Sequence, residues 1–169
     1  MNWRFWIGGC LLIGGMACQP GQVDQQQALT VPGVSLELAN FRKANYSDVR
    51  YLLRFSIPEL KQQPVEGVAQ IAFRISEPHP LILDFRGDSL QVHQVRLNGK
   101  AVDYTVKDEH ILIDKERVAA GENRVDIQFT PADQSLNRRD EFLYTLLVPD
   151  RARTLFPCFD QPNMKSTFT

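Results

Sequence analysis

The residues able to do chemistry are few and widely spaced. His79, His93 and His110 are the three histidines, separated by 14 and 17 positions, with no Glu or second His at helical spacing. An HExxH zinc site needs two histidines four apart on one helix face with a glutamate between them as base, and that pattern is absent. His79 sits between Pro78 and Pro80 in a turn, His93 alternates outward from Val92, and His110 lies in a polar hairpin beside Glu109. All three read as surface or turn residues that hold no metal. No Gly-rich phosphate loop, no G-x-S-x-G and no Ser/His/Asp order stands out. The run Arg138-Arg139-Asp140-Glu141 mixes signs and reads as a solvated loop whose local pairs contribute little.

Cysteine usage narrows the setting. Cys10 and Cys18 fall in the N-terminal apolar stretch, and Cys158 is the only other one, so the body has no intrachain disulfide framework. Cys158, between Pro157 and Phe159, fits a small buried packing residue better than a reactive thiol. With 19 Lys+Arg against 20 Asp+Glu and a pI of about 6.3, there is no basic footprint, and nucleic acid is excluded as a partner.

Residues 1–18 follow the grammar of an export signal: Arg4, then an apolar run from Phe5 to Ala17, too short to stay as a membrane span. Small residues lead into Cys18, as in the bacterial lipoprotein signal, where the cysteine becomes the lipidated first residue of the mature chain. Residues 19–33, rich in Gln with Gly and Pro, suit a flexible tether of about 20 Å. The expected location is the cell envelope, anchored to a membrane surface by acyl chains, with plain secretion as the alternative.

Residues 34–169 must supply the elements, and the apolar spacing there is mostly two. Val49, Tyr51, Leu53, Phe55 and Ile57 alternate with polar residues, and Val65, Gly67, Ala69, Ile71, Phe73 and Ile75 repeat the pattern. Leu81, Leu83 and Phe85 follow, then Leu90 and Val92, then Val95 and Leu97 running into Asn98-Gly99, a hairpin signal because both turn residues tolerate positive φ. Tyr104 with Val106, Ile111 with Ile113, and Val125, Ile127 and Phe129 complete the set, the last after a turn at Ala120–Asn123. No long stretch has helical period. Seven to nine short strands at this spacing predict an all-β, antiparallel sandwich, large enough at this length to bury about two thirds of its surface.

The last stretch, SLNRRDEFLYTLLVPDRARTLFPCFDQPNMKSTFT, changes what can be said about function. It resembles the aminopeptidase N family of zinc metallopeptidases (gluzincins). Arg153, Phe156, Pro157, Cys158, Phe159, Asp160, Gln161, Pro162, Lys165 and Phe168 match the signature that closes that family's first domain, with Ser166 also in register. Upstream, Tyr51, Gly67, the Leu83–Phe85 run, Leu97-Asn98-Gly99, His110-Ile111 and Gly121-Glu122-Asn123 agree in order.

The resemblance implies a saddle-like β-sandwich, the N-terminal domain of an exported enzyme that removes N-terminal residues from peptides. Its partners would be the downstream catalytic domain, which carries the zinc, and the peptide substrate. The family's HExxH, its downstream Glu and its G-x-M-E-N strand do not occur in these 169 residues, so the chain alone is expected to be inactive, without catalytic or metal residues. Some relatives offer a Gln or Glu to the free α-amine just before the Arg matched by Arg153; in register that position is Val148, which cannot do that job, so the site is not carried over, Asp150 or Glu141 of the nearby loop being the alternatives. The signature is expected to be structural: Pro157 and Pro162 bracket a rigid turn in which Asp160 accepts backbone N–H groups. Lys165–Thr169 is expected as an unpaired edge strand, which marks the chain as a truncated piece. The alternative is a stand-alone β-sandwich lipoprotein that binds a partner.

Overall fold

A computed structural model describes residues 28–132 and 134–169. Cys18, the signal-like segment and most of the tether lie outside the described residues. The strands run β1 (Tyr46–Ser56), β2 (Glu66–Ile75), β3 (Leu81–Asp84), β4 (Val92–Leu97), β5 (Lys100–Ala101), β6 (Thr105–Lys107), β7 (His110–Ile113), β8 (Gly121–Phe129), β9 (Leu136–Arg138), β10 (Leu143–Thr145) and β11 (Thr167–Phe168).

The large sheet has the order β11-β1-β2-β8-β4-β5 and the small one β3-β7-β6, while β9 and β10 pair as a separate ribbon. Alternation decides which face is dry: Ala69, Ile71, Phe73 and Ile75 of β2 and Val125, Ile127 and Phe129 of β8 are all buried. They meet Leu81, Leu83, Phe85, Ile111 and Ile113 from the small sheet in one cluster, which makes the two sheets a sandwich. Each Val, Leu, Ile or Phe among them, fully buried, contributes about 1.5–3 kcal/mol.

Two turns show why particular residues are needed. Asn98 and Gly99, at φ 52° and 81°, close the β4–β5 hairpin, as their types predict. Gly67 stands opposite Phe129 in the β2–β8 register, and a Cβ on it would lie 2.4 Å from Phe129 Cζ, so only glycine lets that ring lie across the strand.

Several expectations need correction. A helix, α1 (Leu36–Asn45), precedes β1, capped by Ser35, whose Oγ accepts the Leu38 N–H at 3.0 Å. Its inward positions are Leu38, Phe41 and Arg42, so an arginine fills a place where helical periodicity looks for an apolar residue. Gly121–Asn123 begins β8 rather than forming a turn, because it pairs with Phe73–Ile75. Leu90 and Ile57 are exposed, the first in a short 3₁₀ turn and the second beyond the end of β1. Thr167–Phe168 is paired: it lies parallel to Arg50 and Tyr51, so the large sheet is mixed at that edge.

Candidate functional site

The middle of the family signature, Cys158 to Asp160, lies against the small sheet at Asp84. In β3, Leu81, Leu83 and Phe85 just beyond it face the core, which turns Ile82 and Asp84 to the other side. Asp84 pairs across the ladder with His110 of β7, so the two side chains share that outer face. On a bare sheet both would be wet. Here α1 and the turn containing Asp160 and Gln161 cover them, and Arg42, Asp84 and His110 all have no exposed surface.

Arg42 grips Asp84 in a fork, Nη1 to Oδ2 and Nη2 to Oδ1, both at 2.7 Å, and Nη2 also donates to the Ile82 carbonyl. The backbone N–H of Asp160 donates to Asp84 Oδ2 at 2.8 Å, and Gln161 ties the turn to α1 through the Ala39 carbonyl. Burial by itself would raise the Asp84 carboxyl, but Arg42, then His110 and the Asp160 N–H, outweigh it and hold the group below the usual carboxylate range.

The signature turn is bonded as tightly through its backbone. Asp84 and Cys158 exchange N–H···O bonds of 2.8 and 3.0 Å, and Phe159 N–H donates to the Tyr51 hydroxyl at 2.9 Å. Burial pushes that phenol up, and the Arg42 guanidinium lies 5.2 Å from the centre of the Phe159 ring. Asp160 Oδ2 accepts from the N–H and guanidinium of Arg153, at 3.2 and 3.1 Å. Burial raises the Asp160 carboxyl all the same, with Arg153 offsetting part of it. Arg153 reaches on to Glu109, which also pairs with Arg86.

Phe156, Pro157, Cys158, Phe159 and Gln161 are buried, whereas Pro162, Lys165 and Phe168 are exposed, Phe168 stacking on Tyr51. Burial drives the Cys158 thiol far up, so it stays protonated and is no nucleophile. His110 is no surface residue: its polar hairpin neighbours hid a ring turned inward under α1. Arg138 leaves the solvated run too, since its guanidinium donates to the carbonyls of Pro58, Leu60, Lys61 and Gln63. Val148 and Glu141 are exposed, and the Asp150 carbonyl accepts from Arg153.

This arrangement joins three parts of the chain; it holds no nucleophile beside a base. Among the described residues no group of three or more His, Cys, Asp or Glu side chains converges on an ion position.

Residues 45–169 match the model of the Peptidase M1 N-terminal domain. The chain belongs to this family. Solved structures of longer proteins share the fold, an M1 zinc metallopeptidase among them. Native yeast LTA4 hydrolase aligns at 22% identity with a TM-score of 0.64, over 89% of this chain and 26% of that one. An M1 zinc metallopeptidase from Deinococcus radiodurans aligns at 20% identity with a TM-score of 0.59, over 73% and 31%. Legionella pneumophila aminopeptidase A, solved with aspartic acid, aligns at 16% identity with a TM-score of 0.57, over 73% and 15%. The chain thus spans a third or less of these relatives.

Proposed function

We propose that this M1 N-terminal domain, residues 34–169, forms one wall of the active-site cleft of an exported zinc aminopeptidase, with the chemistry done by a downstream catalytic domain. The observation that carries this reading is an apolar surface on the β9–β10 ribbon and the segment after it. Phe142, Leu143, Tyr144, Leu146 and Val148 are 41–74% exposed there, Phe142 stacking on Tyr144. Contiguous aromatic and aliphatic exposure marks a surface meant to be covered. The ribbon is held in place by Arg138 on the β1–β2 loop and by Leu147, which packs on the core. The signature hub beside it serves as framework rather than as catalyst.

Upstream, Cys18 is the lipid attachment point and the residues after it are the tether that leaves the domain at a membrane surface; of the expected tether 19–33, the last residues lie against the domain, where the Val31 carbonyl meets His110. Labelling with a palmitate analogue is expected to mark the wild-type protein and not Cys18→Ala; an unlabelled wild type contradicts the anchor. For the enzyme, reading the native locus past codon 169 is expected to find G-x-M-E-N and HExxH in frame. In that longer protein, Phe142→Ser with Leu146→Ser is expected to weaken peptide hydrolysis while the N-terminal domain stays folded. Unchanged hydrolysis would remove the ribbon from the cleft.

A further inference from the structure

The carbonyl of Val31 and the carboxylate of Asp84 lie on either side of one buried imidazole. His110 Nε2 is 3.0 Å from the Val31 oxygen, and Nδ1 is 3.0 Å from Asp84 Oδ1, skewed from a straight hydrogen bond. Both neighbours only accept, because a backbone carbonyl has no proton and Asp84 is held ionised by Arg42. A cationic ring, with two N–H groups, satisfies both. A neutral ring has one N–H and sets a nitrogen lone pair against an oxygen on its other side, with no exposed surface through which water relieves the clash.

Which side the neutral ring gives up follows from charge. A hydrogen bond to a carboxylate is roughly twice as strong as one to a neutral acceptor, so the remaining proton stays on Nδ1 facing Asp84. Nε2 then repels the Val31 carbonyl, and a small ring rotation toward Asp84 straightens the skewed contact. We propose that His110 is a proton-operated latch, which pins the segment before α1 to the small sheet when protonated and releases it when neutral.

The other charges around the ring are accounted for. Arg42 of α1 is committed to Asp84, Asp160 of the signature turn to Arg153, and Glu109 of the β6–β7 turn to Arg86 and Arg153. The Cys158 thiol stays neutral. Residues 28–35, ALTVPGVS, carry no charge, so a pH response in this segment originates in the ring. The latch is therefore closed while the ring carries both protons and opens when Nε2 gives up its own. Opening adds residues to whatever tether precedes α1, each extending its reach by about 3.5 Å.

The test uses the full chain with ¹⁵N-labelled histidine, followed by NMR from about pH 5 to about pH 9, with His79→Gln and His93→Gln to assign the signals. Both ring nitrogens of His110 are expected to be protonated in acid, and Nε2 alone to lose its proton. Over the same step, the ¹³C resonance of the Val31 carbonyl in a chain also labelled in valine is expected to move upfield, as its hydrogen bond from Nε2 is lost. In His110→Gln that resonance is expected to stay flat. A ring that keeps one proton on Nε2 throughout, or a Val31 carbonyl resonance that does not move as the ring loses its second proton, overturns the latch. Should His110→Gln fail to fold, the wild-type titration alone decides.

Discussion

Removing the Asp84 carboxylate leaves the Arg42 guanidinium fully buried with no counter-charge, and an unpaired buried ion is far costlier than a broken surface pair. Asp84→Asn is accordingly expected to lower unfolding stability by about 3–5 kcal/mol, read from urea denaturation. A loss below about 1 kcal/mol, the size for an exposed pair, would mean the hub is not as dry as its geometry indicates. The same carboxyl sets the acid response. Its folded value lies below the ordinary one, so its contribution is complete above the usual carboxylate range and is lost as pH falls through the folded value. Asp160, shifted up, works in the opposite sense but is only partly buried. The urea midpoint is expected to drop between about pH 4 and about pH 2; a flat midpoint there contradicts the assignment. Cys158, buried and protonated, is expected to react with a thiol reagent only as fast as the domain unfolds, which a comparison of labelling and unfolding rates checks.

At the scale of elements, the β2–β8 pair depends on an absent side chain. Gly67→Ala places a methyl 2.4 Å from the Phe129 ring and is expected to cost about 1–3 kcal/mol. Phe129→Leu in the same chain is expected to recover part of that loss, since the two positions share one space; strictly additive losses in a double-mutant cycle would refute the contact. Element by element, the alternating strands were the most legible part of the sequence. In β2, Gly67 through Ile75 shows on its face which side is wet, and β2 forms with that side out. The helix α1 was not legible, because its buried stripe of Leu38, Phe41 and Arg42 ends in a cation and because Ser35 is its one clear start signal. Missing α1 also hid the site. Without a lid over the small sheet, Asp84 and His110 read as a strand end and a turn.

At the scale of the molecule, the apolar ribbon is the surface most open to contact with a neighbour. Phe142, Leu143, Tyr144 and Leu146 offer apolar surface to any neighbour, so the isolated chain is expected to self-associate as concentration rises. Phe142→Ser with Leu146→Ser is expected to suppress this in light scattering, and to change unfolding stability by no more than about 0.5 kcal/mol per site because the positions lie outside the core. A large stability loss would place the ribbon in the core instead. The chain spans a third or less of the length of the solved structures it matches.

Sequence alone determined the strands, the Asn98-Gly99 turn and the family, because period-two burial and a dense signature of Pro, Cys, Phe and Asp residues are local properties of the chain. Tertiary structure alone decided that the signature turn, α1 and β3 meet at Asp84, with Arg42 at 42 residues' separation and Gln161 at 119 from Arg42. It also turned His110 from a turn residue into a buried ring. The reason is physical: a charge enters a core only when its partners arrive with it, and these partners are far apart in sequence until the sandwich closes.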